Sequence, residues 1–282
     1  MKQDSYETIN NLLSSHDPGE LRLGLEMVRQ EISRVGSSEA RPLFEMVCAI
    51  LYIDALDHPE LVSIIDEAIS LLVGFGSWVI PILVKDLDSG DLKAQLAIAQ
   101  ALGRIGSDAI DPLMVEYNAT DDPARHTFIL YTMGKIKSPK IVRAAHLAVG
   151  AAGSSDLELR DTATRAIGKF VESIPSSDLP KELRTAYIEK LRHNLADKNA
   201  GIRAKAVRSL GKLAKYGHLN KKEMEKLKEL CYLILGIDDN FDWDRAFIVR
   251  KEAQEALSYL EGSASLSSRR VHAASGQRSS KR

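Results

Sequence analysis

Residues Ala101–Leu113, ALGRIGSDAIDPL, set two glycines between two apolar segments. Glycine at the start of a helix is where backbone N–H groups cradle a phosphate, and it is also where a helical hairpin turns. Recurrence separates the two, because a cradle is used once and a hinge repeats. Similar segments stand at Ile32 (ISRVGSSEARPL), Leu72 (LVGFGSWVIPI), Met133 (MGKIKSPKI), Ile167 (IGKF), Leu210 (LGKLAKYG) and Leu257 (LSYL). Counted from the apolar residue that opens each, with Leu102 in its place, the steps are 40, 30, 31, 34, 43 and 47 residues. Self-similarity at roughly 20–50 residues marks stacked repeats, so the stretch reads as a hairpin hinge.

The segment ahead of each hinge is an amphipathic helix. In GIRAKAVRSLGKLAKYG, Ile202, Ala206, Leu210 and Leu213 fall on one stripe at helical spacing. Small residues such as Ala99, Ala163 and Ala206 let neighbouring helices approach closely. After the hinge a second helix begins, with Pro42, Pro81 and Pro112 near its start, where a missing N–H costs nothing. Asp17, Asp91, Asp122, Asp156 and Asp197 stand where N-caps are needed. One such hairpin cannot bury its own apolar face, so each must stack on its neighbours. The expected fold is all-α, a superhelical solenoid of about six to seven antiparallel hairpins.

Composition agrees. The chain has 282 residues, 44% hydrophobic and 6% aromatic, without the alternating β-branched runs that sheets require. Cys48 and Cys231 lie in apolar helical pattern with no CxxC partner, which argues against a disulfide framework or a zinc site. The N-terminal MKQDSYETINNLL has no apolar core of a signal peptide, and no apolar run approaches the ~18 residues of a membrane span. The expectation is a cytoplasmic monomer without cofactor or metal. Seven scattered histidines form no HExxH, and no G-x-S-x-G, phosphate-loop or dinucleotide motif occurs, so no catalytic residue is assigned. DDNFDWD, Asp238–Asp244, carries alternate carboxylates like a calcium loop, but Trp243 occupies the glycine position and Val249 that of the bidentate Glu.

These segments resemble HEAT repeats, particularly the short type named after phycobilisome lyases, in which an I-P-x-L helix precedes a D-x-x-x-R helix ending in A-L-G-x-I-G. Ile80–Gly106 and Ile202–Leu213 carry the likeness best, and it extends over roughly Leu12–Leu260. The resemblance implies a HEAT/armadillo-like solenoid and an arginine ladder between repeats. That arginine stands at Arg160, Arg203 and Arg250, but Gln95 and His126 replace it in the middle repeats, a departure from the family's ladder. The steps of 43 and 47 leave room for added loops at IPSSDLPKEL and GIDDNFDWDRAF. Such scaffolds serve many functions, a phycobilin lyase-like subunit among them.

Charge is unevenly spread. Residues 1–130 hold 9 Lys+Arg against 21 Asp+Glu, and residues 181–231 hold 14 against 6. Lys205, Arg208, Lys212 and Lys215 form one cationic stripe on a helix. Two residues after the hinge marker, five of the seven positions are basic, Arg34, Arg104, Lys135, Lys169 and Lys212, and make a column, with Gly74 and Tyr259 at the other two. The stripe and column are either contacts for an acidic segment or cations that complement helix C-termini. Phe241 and Trp243 are either loop anchors or an exposed contact for a partner. Residues 262–282, Ser-rich with five cations, are expected to form a disordered tail after a repeat domain of residues 1–261. The reading is a non-enzymatic scaffold that binds a protein with an acidic segment on its concave face. Arg104, Lys135, Lys169, Lys205, Arg208, Lys212, Lys215 and Trp243 are its candidate contacts. One alternative is a nucleic-acid binder using the basic repeats and tail, against which the acidic first 130 residues count; the other, implied by the resemblance alone, is a phycobilin lyase-like subunit.

Overall fold

The computed structural model describes the backbone of residues 2–237 and 243–276 and the side chains of residues 5–237 and 243–261. Among these residues all regular structure is helical, and the chain forms two compact units, Met1–Ser138 and Pro139–Arg282. No single described helix is long and apolar enough to cross a membrane.

The first unit contains α1 (Lys2–Leu13), α2 (Pro18–Val35), α3 (Arg41–Ala49), α4 (Val62–Gly74), α5 (Ile80–Asp86), α6 (Leu92–Ile105), α7 (Ile110–Asn118) and α8 (Pro123–Met133). Helices α2, α4, α6 and α8 pack in succession as one layer, with α3, α5 and α7 packed against them as the other. The stretch Ala101–Leu113 is a hinge: α6 ends at Ile105, Gly106 turns the chain at φ 84°, and α7 starts at Ile110. Gly36 (φ 87°) and Gly76 (φ 86°) turn the two preceding hinges in the same left-handed region. A Cβ is disfavoured there, which is why glycine recurs. Asp17, Asp91 and Asp122 cap α2, α6 and α8 with side-chain oxygens on first-turn N–H groups. Leu25, Val28, Ile64, Leu72, Leu102 and Leu130 are buried between the layers, each contributing about 1.5–3 kcal/mol.

Gln95 and His126 replace the repeat arginine without leaving a gap. The Gln95 amide donates to the Leu87 carbonyl at 2.9 Å, and His126 Nε2 lies 2.8 Å from the Thr120 carbonyl, its ring stacked on Tyr117. Arg125, beside His126, adds the link between repeats by donating to Glu116 and to the Val84 carbonyl at 2.8 Å.

The second unit contains α9 (Ala145–Ala151), α10 (Leu157–Phe170), α11 (Lys181–Asn194), α12 (Ala200–Lys215), α13 (Lys221–Leu235) and α14 (Phe247–Gly276). Helices α10, α12 and α14 pack in succession, with α9, α11 and α13 on their other side. Here the arginine ladder is complete. Arg160 donates to the Ser154 carbonyl of its own turn and to Asp197 at 2.8 Å in the next; Arg203 donates to the Asp197 carbonyl and to Asp244 at 2.7 Å. Arg250 then donates to the Asp244 carbonyl at 2.7 Å. Since α12 starts at Ala200, its cap is Asn199 and not the expected Asp197, whose carboxylate accepts from Arg160 and from the Asn199 N–H. The backbone of residues 262–276, in the segment expected to be disordered, is helical, and Arg278, Lys281 and Arg282 lie outside the described residues.

Close approach of α10 to α12 depends on Gly168, where a Cβ would sit 3.0 Å from Ser209 Cβ and 3.1 Å from Ser209 Cα. At Gly150 of α9 a Cβ would meet nothing within 4 Å. Gly→Ala raises helix propensity equally at both, so their difference isolates packing. In chemical denaturation Gly168→Ala should destabilise by about 1–3 kcal/mol, while Gly150→Ala should stabilise by up to ~1 kcal/mol. Equal effects would refute the close packing of α10 on α12.

Candidate interaction surface

The cationic stripe lies on one face of α12, and that face is turned to its neighbours. Lys205 pairs with Asp161 of α10, and Lys212 pairs with Glu172 at 2.5 Å, which also accepts from Lys169 at 3.2 Å. On the other side Arg208 holds Glu252 of α14 through two bonds, one of 2.8 Å, and the Lys215 ammonium stands 4.5 Å over the Tyr259 ring. Glu252 is 2% exposed. Its hydrogen bonds hold the Arg208 guanidinium even more firmly protonated than usual. Burial pulls the Lys212 ammonium below its ordinary range, against the pull of Glu172.

The column behaves likewise. Arg104 of α6 donates to the Asp66 carbonyl at 3.0 Å, to the Asp66 carboxylate and to Ser70, all on α4. Lys135 lies 4.7 Å over the Tyr131 ring, and Arg34 holds Glu31 at 2.8 Å. Trp243 is half exposed with the Arg250 guanidinium 4.4 Å over its ring, while Phe241 lies outside the described residues. Each of the eight residues singled out from sequence therefore meets a group of its own unit. They belong to two units, and within the second Lys169 and Lys212 share Glu172 while Lys205, Arg208 and Lys215 each meet a different partner.

Sequence reasoning missed three cations that make no ion pair within 4 Å among the described residues. Arg192 of α11 and Lys222 and Lys226 of α13 are exposed, on the layer opposite the stripe. They fall inside the same basic window of residues 181–231, but their spacing is split between two helices, so no single-helix stripe announces them. Large apolar side chains are also exposed: Leu56, Val62 and Leu92 in the first unit and Phe247 and Ile248 in the second. Burial pushes the thiols of Cys48 and Cys231 up to about 12, which keeps them protonated at neutral pH. Among the described residues no three His, Cys, Asp or Glu side chains come together as a metal site.

No known family's sequence model matches the chain, and no curated protein matches it. Solved structures do. The complex of CpcE and CpcF of phycocyanin lyase from Nostoc superposes with a TM-score of 0.51 at 20% identity, covering 64% of this chain and 99% of that one. A designed armadillo repeat protein gives 0.48 at 15% identity, covering 89% and 98%. Computationally designed armadillo repeat proteins for modular peptide recognition give 0.44 at 18% identity over the same shares. The fold is an α-solenoid of the HEAT/armadillo type. At these identities the likeness is one of fold.

One measurement checks the stripe's internal pairing and a second the arginine ladder. Arg208→Ala leaves buried Glu252 without its cation and should destabilise by about 2 kcal/mol, whereas Lys226→Ala should stay within about 0.5 kcal/mol. The bond from Arg203, aided by the Ala246 N–H, holds the Asp244 carboxyl below its ordinary value of 3.8. A depressed carboxyl contributes stability that is present above 3.8 and lost as pH falls through the lower folded value. Asp244→Asn should therefore lower the melting temperature at pH 6 and flatten its fall towards pH 3; an unchanged acid profile would remove Asp244 from the ladder.

Proposed function

We propose that the chain is a non-enzymatic cytoplasmic scaffold, a monomer that holds another protein against its stacked helices, with residues 262–282 as an appended basic tail. The observation that carries this reading is the exposure of large apolar side chains on helices and in an anchored loop of a frame otherwise locked together. Leu56 is 89% exposed and Phe247 72%. Leu56 sits in the loop ahead of α4 that Asp54 ties to Lys93 of α6, so it is presented from an anchored position. Exposed apolar residues on a rigid frame favour association, since little ordering entropy opposes contact.

The nucleic-acid reading is weakened by the same geometry. Phosphates would have to displace Asp161, Glu172 and Glu252 from the stripe before meeting it. Full-length chain immobilised in lysate at ~150 mM salt should retain a stoichiometric protein partner after nuclease treatment. Loss of that partner on nuclease treatment would overturn the scaffold reading. So would micromolar duplex binding at that salt with a log–log salt slope near −3.6, the value for about four phosphates at roughly −0.9 each.

A further inference from the structure

We infer that the cleft between α11 and α13 is a docking site for an acidic segment of another protein, which inserts an apolar side chain there; this rests on the scaffold reading. The cleft has a volume of about 280 Å³. Ile188 of α11 and Leu227 and Leu230 of α13 line its apolar part. Arg192 stands on one wall, and Lys222 and Lys226, four residues apart and so on one face of α13, stand on the other. All three are exposed, and none makes an ion pair within 4 Å among the described residues. The one carboxylate in the wall, Glu223, is already engaged by Arg184 at 2.6 Å and by the Asn220 N–H at 2.8 Å. Three cations therefore face an opening whose only acid is satisfied.

Shape and charge together select the occupant. Ligand pockets run to roughly 300–1,000 Å³, so this cleft lies at the small end of that range and has room for an apolar side chain of a partner. A nucleic-acid backbone would meet the cations but would leave the apolar floor uncovered. An acidic peptide with an apolar anchor satisfies both, the anchor providing burial and the carboxylates providing orientation and encounter rate. Two further clefts among the described residues lack this polarity. That beside α14 places Arg250 and Lys251 with Glu255, and that between α3 and α5 places Arg41 with Glu45 and Asp86.

The test uses the full chain and a fluorescein-labelled octapeptide with two central leucines flanked by Glu and Asp, followed by anisotropy at ~50 and ~150 mM salt. Saturable binding is expected, weaker at the higher salt. The double variant Arg192→Glu, Lys226→Glu should weaken it at least tenfold, as should serine in place of the peptide leucines. Lys251→Glu, on α14, should leave it unchanged. Both reversed positions are exposed, and an unaltered thermal melt of the double variant verifies its fold. Absence of saturable binding, or equal binding by the double variant, overturns the assignment. So does a 20-nucleotide single strand that binds as tightly and is lost in the same variant, which would give the cleft to nucleic acid. Partner capture from lysate separates this inference from the reading beneath it. Capture that survives the double variant sinks the cleft and leaves the scaffold; capture by neither chain sinks the scaffold.

Discussion

A helical hairpin has two apolar faces and can cover only one by itself, so everything here depends on each helix being held in register against the next. Apolar burial supplies the driving force but little register, since neighbouring leucines are interchangeable. The polar cross-links supply it. Lys205 reaches Asp161 and Arg208 reaches Glu252, each across 44 residues; Arg203 reaches Asp244 across 41, and Arg104 reaches Asp66 across 38. Each span is close to one repeat. Partly exposed pairs contribute only ~0–1 kcal/mol by attraction, but sliding α14 along α12 would strand the buried Glu252 carboxylate without a cation. Avoiding that penalty is a stronger constraint than the attraction itself.

Much of this was legible in sequence because hinges obey local rules. Gly36, Gly76 and Gly106 must turn at positive φ, and Asp17, Asp91, Asp122 and Asp156 must cap, whatever the rest of the chain does. Where a residue had two possible duties, sequence could not choose. Asp197 looked like a cap and serves as the acceptor for Arg160, leaving the cap to Asn199. Gln95 and His126 looked like breaks in the ladder, yet both still bind turn carbonyls, while Arg125 supplies the link to the neighbouring repeat from one position away. The buried network of Asn194, Thr164 and Ser209, joined across 30 and 45 residues, had no sequence signal, since its members are ordinary polar residues within helices.

The cationic stripe shows how a linear charge count misleads in a repeat protein. The window of residues 181–231 holds 14 cations against 6 acids, which suggests an unbalanced surface. Four of the acids that neutralise it, Asp161, Glu172, Asp244 and Glu252, lie outside the window, because in a stacked array a side chain's neighbour sits one repeat away in sequence. The excess that remains is on the opposite layer. There α11 and α13 stand on either side of a cleft with Leu210 of α12 in its lining; Arg184 of α11 pairs with Glu223 of α13, while Arg192, Lys222 and Lys226 border the cleft without an ion pair within 4 Å among the described residues. The ion pairs that lock α12 and the proposed docking cleft thus lie on different layers of the same hairpins. A charge that locks α12 to α10 or α14 must give up its acid before it can meet a partner, whereas Arg192, Lys222 and Lys226 have no ion pair within 4 Å to give up among the described residues.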